Sequence, residues 1–131
     1  MVPLSVAASP TRFNKPPGLR KRREFLRVQN GGKRFRGQLM ALLIAPNDHH
    51  PARIGYTVSR KVGGAVVRNR VRRRLKEIAR LHPEALVPRF DHVIIAFPTS
   101  AAASFEAVRD ELLWLLNKAQ AWASSRQSSS A

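Results

Sequence analysis

Seven cations crowd one short run of this sequence, AVVRNRVRRRLKEIAR from Ala65 to Arg80: Arg68, Arg70, Arg72, Arg73, Arg74, Lys76 and Arg80, opposed only by Glu77. Guanidinium groups at this density suit one kind of chemistry. Their planar forks match phosphate oxygens and stack on bases, which a lysine ammonium does less well. Like charges three or four positions apart on a helix repel by about 0.2–0.5 kcal/mol per pair, so the run carries a folding cost that a bound polyanion would offset. With Val67, Val71, Leu75 and Ile78 facing the core at helical spacing, Asn69, Arg70, Arg72, Arg73, Lys76 and Arg80 turn to the opposite side, and Arg68 and Arg74 flank the apolar stripe. A merely solvated helix face mixes signs. This face is nearly pure, which favours nucleic acid.

Gly63 and Gly64 precede the run and allow two readings: backbone amides that cradle a phosphate at a helix N-terminus, or a tight turn that needs glycine. Arg60 and Lys61, in the same loop, extend the basic surface. Other residue types point less sharply. Phe25 and Tyr56 fit core positions by periodicity and base-stacking positions by type. His49 and His50 lack the cysteines or clustered carboxylates that would make a metal site, and Asp91 and His92 read as a cap and an edge residue ahead of a strand. The eight acids are scattered, so a two-carboxylate metal nuclease has no nucleus here. No catalytic residue and no metal ligand is assigned to the protein.

The whole composition agrees with this chemistry. Twenty-four Lys and Arg against eight Asp and Glu give a net charge of +16 over 131 residues, enough chain for one domain. No run is long and apolar enough to span a bilayer, and the absence of cysteine excludes disulfides and thiolate sites. Residues 1–17 lack the basic start of a secretory signal and read as a disordered extension; the Ser-rich 124–131 reads as a disordered tail. The cytoplasm is the expected compartment.

Between these ends, 18–123 must position the basic run. LRKRREFLRVQNGG reads as a first helix carrying Leu19, Phe25, Leu26 and Val28, stopped by Gly31 and Gly32. QLMALLIA reads as a buried strand and RIGYTVS as an alternating one, with a hairpin joining them. The basic helix ends at His82-Pro83, DHVIIAF is a further strand, and Ser104 caps a last helix with Phe105, Val108, Leu112, Leu115, Ala119 and Trp122 on one face and Glu106, Asp110 and Glu111 near its start. The order helix, strands, helix, strand, helix predicts a small α/β sheet with helices packed on it.

The run VGGAVVRNRVRRRLK, Val62 to Lys76, closely resembles the signature of the bacterial ribonuclease P protein subunit, matching it at Ala65, Arg68, Asn69, Arg70, Val71, Arg72, Arg73, Leu75 and Lys76. LRKRREFLRV, RIGYTVSRKVGGA and DHVIIAFPTS resemble that family's first helix, its strand into the motif and its last strand. The resemblance implies a fold like ribosomal protein S5 domain 2, with a left-handed crossover into the basic helix against the usual rule. It implies an accessory subunit of a ribonucleoprotein endonuclease that removes the 5′ leader of precursor tRNA. The catalytic RNA would do the chemistry and bind its Mg²⁺, the protein alone would be inactive, and no obligate protein partner is expected. Arg60, Lys61, Arg68, Asn69, Arg70, Arg72, Arg73 and Lys76 would face that RNA, and Phe25, with Tyr56 and Thr57, would line a cleft for the leader. Gln29 stands where the family often has a second aromatic, which implies a more polar cleft.

Two rivals remain. A structural RNA-binding protein of ribosomal type shares the charge without needing a leader cleft, and a stand-alone metal-dependent nuclease needs an acidic cluster that the sequence lacks.

Overall fold

A computed structural model describes residues 17–19, 21–47 and 51–130, with side chains to residue 126. The expected N-terminal extension through residue 16, and the His49-His50 pair, lie outside the described residues. Helix α1 (Arg22–Gly31) is followed by strands β1 (Lys33–Arg36), β2 (Met40–Pro46) and β3 (Arg53–Thr57). Helix α2 (Ala65–Leu81), strand β4 (Phe90–Ala96) and helix α3 (Phe105–Ser130) complete the order, with short 3-10 turns at Pro83–Ala85 and Pro98–Ala101.

The four strands form one sheet in the order β1-β2-β4-β3, antiparallel except for the parallel β3–β4 pair. The mixed α/β class holds, but the expected hairpin between QLMALLIA and RIGYTVS does not. β4 lies between those strands, with Leu42 opposite Ile94 and Tyr56 beside Ile94. The physical reason lies in the residues: β2 and β4 are apolar on both faces and occupy the middle, whereas β3 alternates Ile54 and Tyr56 with Arg53, Gly55 and Thr57, as an edge strand can. The actual hairpin joins β2 to β1, whose sequence KRFR shows only one apolar residue. Charged side chains on such an edge discourage pairing with other chains. At the opposite edge, the Ile54 amide donates to the Pro17 carbonyl at 3.0 Å and the Leu19 amide to the Ile54 carbonyl at 3.2 Å. Leu19 is therefore an extended, buried residue ahead of α1 rather than part of it.

The sheet buries both faces. On one, α1 packs Val28 over Ala41, Leu43, Ala45 and Val93, with Leu19 beside them. On the other, α2 contributes Val71, Leu75 and Ile78 and α3 contributes Val108, Leu112, Leu115 and Ala119 against Leu42, Ile44 and Ile94. The predicted stripes of both helices hold, with Val67, Phe105 and Trp122 at their margins. Ser104 caps α3 by accepting the Ala107 amide at 3.0 Å, as expected. Glu111 does more than favour the helix start: its carboxylate accepts the amides of Gln38, Leu39 and Met40 at 3.0, 2.7 and 3.0 Å, clamping the β1–β2 turn to α3. The helix runs on to Ser130, through most of the segment whose composition suggested a disordered tail. No glycine or proline interrupts it there, and Arg126 lies over the Trp122 ring one turn back, 5.2 Å from its centroid.

Asp91 and His92 are neither cap nor edge, because β4 is an inner strand. Asp91 is fully buried beneath α1. Arg53 grips it with two bonds of 2.8 and 2.7 Å, Asn47 donates to it at 2.6 Å, and Arg27 of α1 also pairs with it. Arg53 reaches Glu24 of α1 as well, at 3.1 Å. His92 points to the other face, where its Nε2 accepts the Val87 amide at 3.0 Å and its Nδ1 lies 3.0 Å from the Arg53 carbonyl. The Val87 contact requires an unprotonated Nε2, so Nδ1 carries the proton and donates to Arg53. Among the described residues no helix is long and apolar enough to cross a membrane.

Candidate nucleic-acid interface

The loop entering α2 is built before any ligand is considered. The Val62 amide donates to the Ser59 carbonyl at 3.0 Å and the Gly63 amide to the Arg60 carbonyl at 3.2 Å. Gly63 adopts φ of 155°, and a Cβ there would lie 2.9 Å from Val67 Cγ1. Only glycine suits that position, and its amide is already spent on the turn. Of the two readings of the glycine pair, Gly63 takes the turn. Gly64 is the N-cap of α2, with its carbonyl accepting the Arg68 amide at 2.9 Å. The loop leaves Arg60 and Lys61 exposed just beyond the end of β3.

Along α2 the seven cations do not share one environment. Arg73 and Lys76 are exposed together with Asn69, whose Oδ1 accepts Arg72 Nη1 at 3.1 Å and so orients that half-buried guanidinium. Arg70 and Arg74 turn back instead. Arg70 Nη2 donates to the Ala101 carbonyl at 2.7 Å and Arg74 Nη1 to the Ala103 carbonyl at 2.9 Å, tying α2 to the segment that leads into α3. Arg70 therefore does not lie free on the outer face where helical geometry alone places it. A long side chain follows its hydrogen-bond partners, and a helical projection carries no information about a carbonyl thirty-one residues away. Arg80 leaves the set as well, since it grips Glu77 at 3.1 and 2.6 Å and holds that carboxyl below its usual range. Arg68 is half-buried beside the stripe.

A separate groove of about 490 Å³ runs between α1 and β3, lined by Arg22, Phe25, Leu26 and Gln29 from the helix and by Tyr56 and Thr57 from the strand. The four helix positions follow the spacing of one face, a pattern readable in the sequence. Leu26, one of the apolar residues read on the first helix, is 38% exposed on this wall, and Arg22 is a groove residue the sequence reading missed. Phe25 is half-buried, packed on the smaller apolar cluster while also lining the groove, so the core and cleft readings both apply to it. Its ring sits directly over Gly55, where a Cβ would come within 2.5 Å of Phe25 Cζ. That glycine is what lets the aromatic lie against the sheet. Tyr56 borders the groove, but its side chain alternates to the other face and packs against the larger cluster, where burial raises its phenol above the usual value. Thr57 alternates toward α1. Among the described residues no group of three His, Asp or Glu side chains gathers to hold a metal ion.

The elements thus bring together a one-signed surface on α2 and its entry loop, and a partly apolar groove with a cation at its wall. The chain shares this frame with proteins already known. The family model described as Ribonuclease P matches residues 13–120. The ribonuclease P protein component of Clostridioides difficile (strain 630) is 40% identical over 97 residues, covering 73% of this chain and 85% of that protein. The component from Brucella melitensis biotype 1 is 41% identical over 104 residues, covering 72% and 73% respectively. Among solved structures, the RNase P protein from Thermotoga maritima superposes with a TM-score of 0.71 at 33% identity, over 76% of this chain and 94% of that one. The Staphylococcus aureus RNase P protein, at 23% identity, shares the fold with a TM-score of 0.74 over 81% and 97%.

Proposed function

The chain belongs to the ribonuclease P protein family, and on that premise we propose how it serves as the protein subunit of that ribonucleoprotein, whose RNA is its partner. The catalytic RNA performs the cleavage and binds the Mg²⁺ it requires, while the protein holds RNA and substrate in register, in the cytoplasm. The observation that carries this reading is the one-signed face of α2, held on a rigid sheet by Val71, Leu75 and Ile78 and by the Arg70 and Arg74 tethers. Arg68, Asn69, Arg72, Arg73 and Lys76, with Arg60 and Lys61 of the entry loop, meet the phosphates of the catalytic RNA. The groove under α1 takes the 5′ leader of precursor tRNA, with Phe25 offering a stacking face, Arg22 a charge, and Gln29 a polar contact.

Purified protein is expected to leave precursor tRNA intact and, on addition of the catalytic RNA and Mg²⁺, to support release of the leader. Metal-dependent cleavage by protein rigorously freed of RNA would overturn this division of labour.

The division among the arginines is separately testable. Arg73→Ala is expected to flatten the dependence of log K on log salt for catalytic-RNA binding by about 0.7–0.9, the counterion release of one phosphate contact. Arg70→Ala should act first on the fold, removing the tether to Ala101 at a cost of about 1–3 kcal/mol in unfolding free energy. Equal stability and equal slope changes in the two variants would show that Arg70 and Arg73 do the same job.

Phe25→Ala tests the groove. Because the ring is half-buried, its loss should cost less than the roughly 3–5 kcal/mol of a full core truncation. Loss of stacking should weaken binding of leader-bearing tRNA to the holoenzyme by about 1–3 kcal/mol and leave mature tRNA nearly unaffected. An equal loss for both tRNAs would remove Phe25 from the leader path.

A further inference from the structure

We propose that Val66 is an RNA-contacting residue of α2, packing on the base of an unpaired nucleotide of the catalytic RNA. Four large apolar residues are exposed among the described residues: Leu26, Leu81, Trp114 and Val66, at 38%, 52%, 50% and 81%. Leu26 walls the groove, Trp114 lies under the Lys118 ammonium, 4.3 Å from its ring centroid, and Leu81 closes α2 at the end where Arg80 is spent on Glu77. Val66 is the most exposed of the four and stands in different company. It is the second residue of α2, and Asn69, Arg73 and Lys76 follow it at three, seven and ten positions, the repeat that keeps one line along a helix. All four residues of that line are exposed. At the helical rise of about 1.5 Å per residue, the line is about 15 Å long.

A solitary surface valine ordinarily calls for no explanation. This one continues the line that meets RNA, so a strand seating its phosphates at Arg73 and Lys76 runs on over Val66. An isopropyl group offers a phosphate neither charge nor a hydrogen bond. What RNA can offer it is the face of a base, and that face is within reach only where the nucleotide is unpaired and out of the stack, because a paired A-form helix presents its phosphates and 2′-hydroxyls to an approaching surface. Valine also brings nothing to the free fold. At 81% exposure it buries almost no apolar area, and as a β-branched residue it favours a helix less than alanine does. Its use arises on binding. The inference rests on the α2 face meeting the catalytic RNA, and adds to that face a contact of different chemistry, one that salt does not screen.

Val66→Ala is expected to bind the catalytic RNA about three- to tenfold more weakly, as two methyl groups leave a partly buried contact, with the slope of log K against log salt unchanged because no charge is lost. Its urea-unfolding midpoint should equal or exceed the parent's, which separates weaker binding from a damaged fold. The sequence has no cysteine, so Val66→Cys gives a unique attachment point for a short photocrosslinker. In the assembled holoenzyme the crosslink is expected at one unpaired nucleotide of the catalytic RNA. Removing that nucleotide's base should weaken binding of the parent protein by a similar factor and binding of Val66→Ala hardly at all. Parental affinity in Val66→Ala overturns the proposal, as does a flattened salt slope, which would mean a displaced cation. Crosslinks that are absent, or confined to paired nucleotides or to precursor tRNA, also overturn it, as do additive losses from the missing base and Val66→Ala. Arg73→Ala reports on the face itself: if it flattens the salt slope while Val66→Ala changes nothing, the α2 reading stands and this contact fails.

Discussion

Asp91→Ala is expected to lower the unfolding free energy by about 3–5 kcal/mol, because it leaves two guanidinium groups without the buried charge they were folded around. Burial alone would raise this carboxyl, but the Arg53 fork, the Asn47 amide and Arg27 together hold it below the usual carboxylate range. The charge is therefore present at all ordinary pH. Removing it strands Arg53, which is only 17% exposed and keeps Glu24 as its remaining partner. Asp91→Asn should cost less, since it preserves the shape and one acceptor. The effect should also reach function, because Arg27 and Glu24 are the α1 ends of this network and α1 forms one wall of the groove. Holoenzyme containing Asp91→Ala is expected to lose affinity for leader-bearing tRNA while the α2 surface still binds the catalytic RNA. Denaturant unfolding of the two variants, with the two binding measurements, checks the chain of argument; an unfolding free energy within about 1 kcal/mol of the parent would show that the network contributes little, as exposed pairs do.

The same residue shows what was legible in the sequence. Periodicity placed Val71, Leu75 and Ile78 on the buried face of α2 and Val108, Leu112, Leu115 and Ala119 on that of α3, because burial by a helix repeats along the chain and leaves its mark there. Asp91 leaves no such mark. Its three partners come from α1, β3 and the end of β2, and a lone acid ahead of an apolar run reads as a cap until β4 is known to lie inside the sheet. Strand order was misread for a related reason: β2 and β3 follow one another in sequence, but the apolar β4 lies between them and pairs with both, leaving the more polar β3 at the edge. The motif from Arg68 to Lys76 was legible as charge, yet the division of labour within it was not. Arg70 and Arg73 are the same residue type on the same helix, and only the position of the Ala101 carbonyl separates a tether from a free cation. The groove between α1 and β3 was legible in part. Phe25 stood out by type, while Arg22 and Leu26 gained meaning only when α1 was seen to lean over Gly55.

Acid should weaken this fold before any carboxylate is titrated, and His92 is the reason. Burial lowers its imidazole to about 4, against the opposing pull of the Arg53 carbonyl and of Asp91. The unfolded chain carries this histidine near its ordinary value of about 6.5, so between these two values the unfolded state binds more protons and stability falls as pH falls. The contribution is complete above the unfolded value, declines through that window, and is lost below about 4, a total of about 3 kcal/mol. Asp91 acts in a different window. Its folded value is depressed, so its contribution persists down to the unfolded carboxylate value of about 3.9 and is lost only at still lower pH. The geometry supports the same sign: a proton on Nε2 would face the Val87 amide, which is itself a donor, and the bond that holds the loop ahead of β4 would be replaced by a repulsion. Arg53 couples the two sites, since its carbonyl receives His92 while its side chain grips Asp91 on the opposite face of the sheet. His92→Gln removes the titration. Its unfolding free energy at neutral pH should be lower than that of the parent, and its slope against pH between about 6.5 and 4 should be flatter by the full His92 contribution. Urea unfolding across that range measures both, and a parent and variant with parallel pH profiles would place the acid sensitivity on another group.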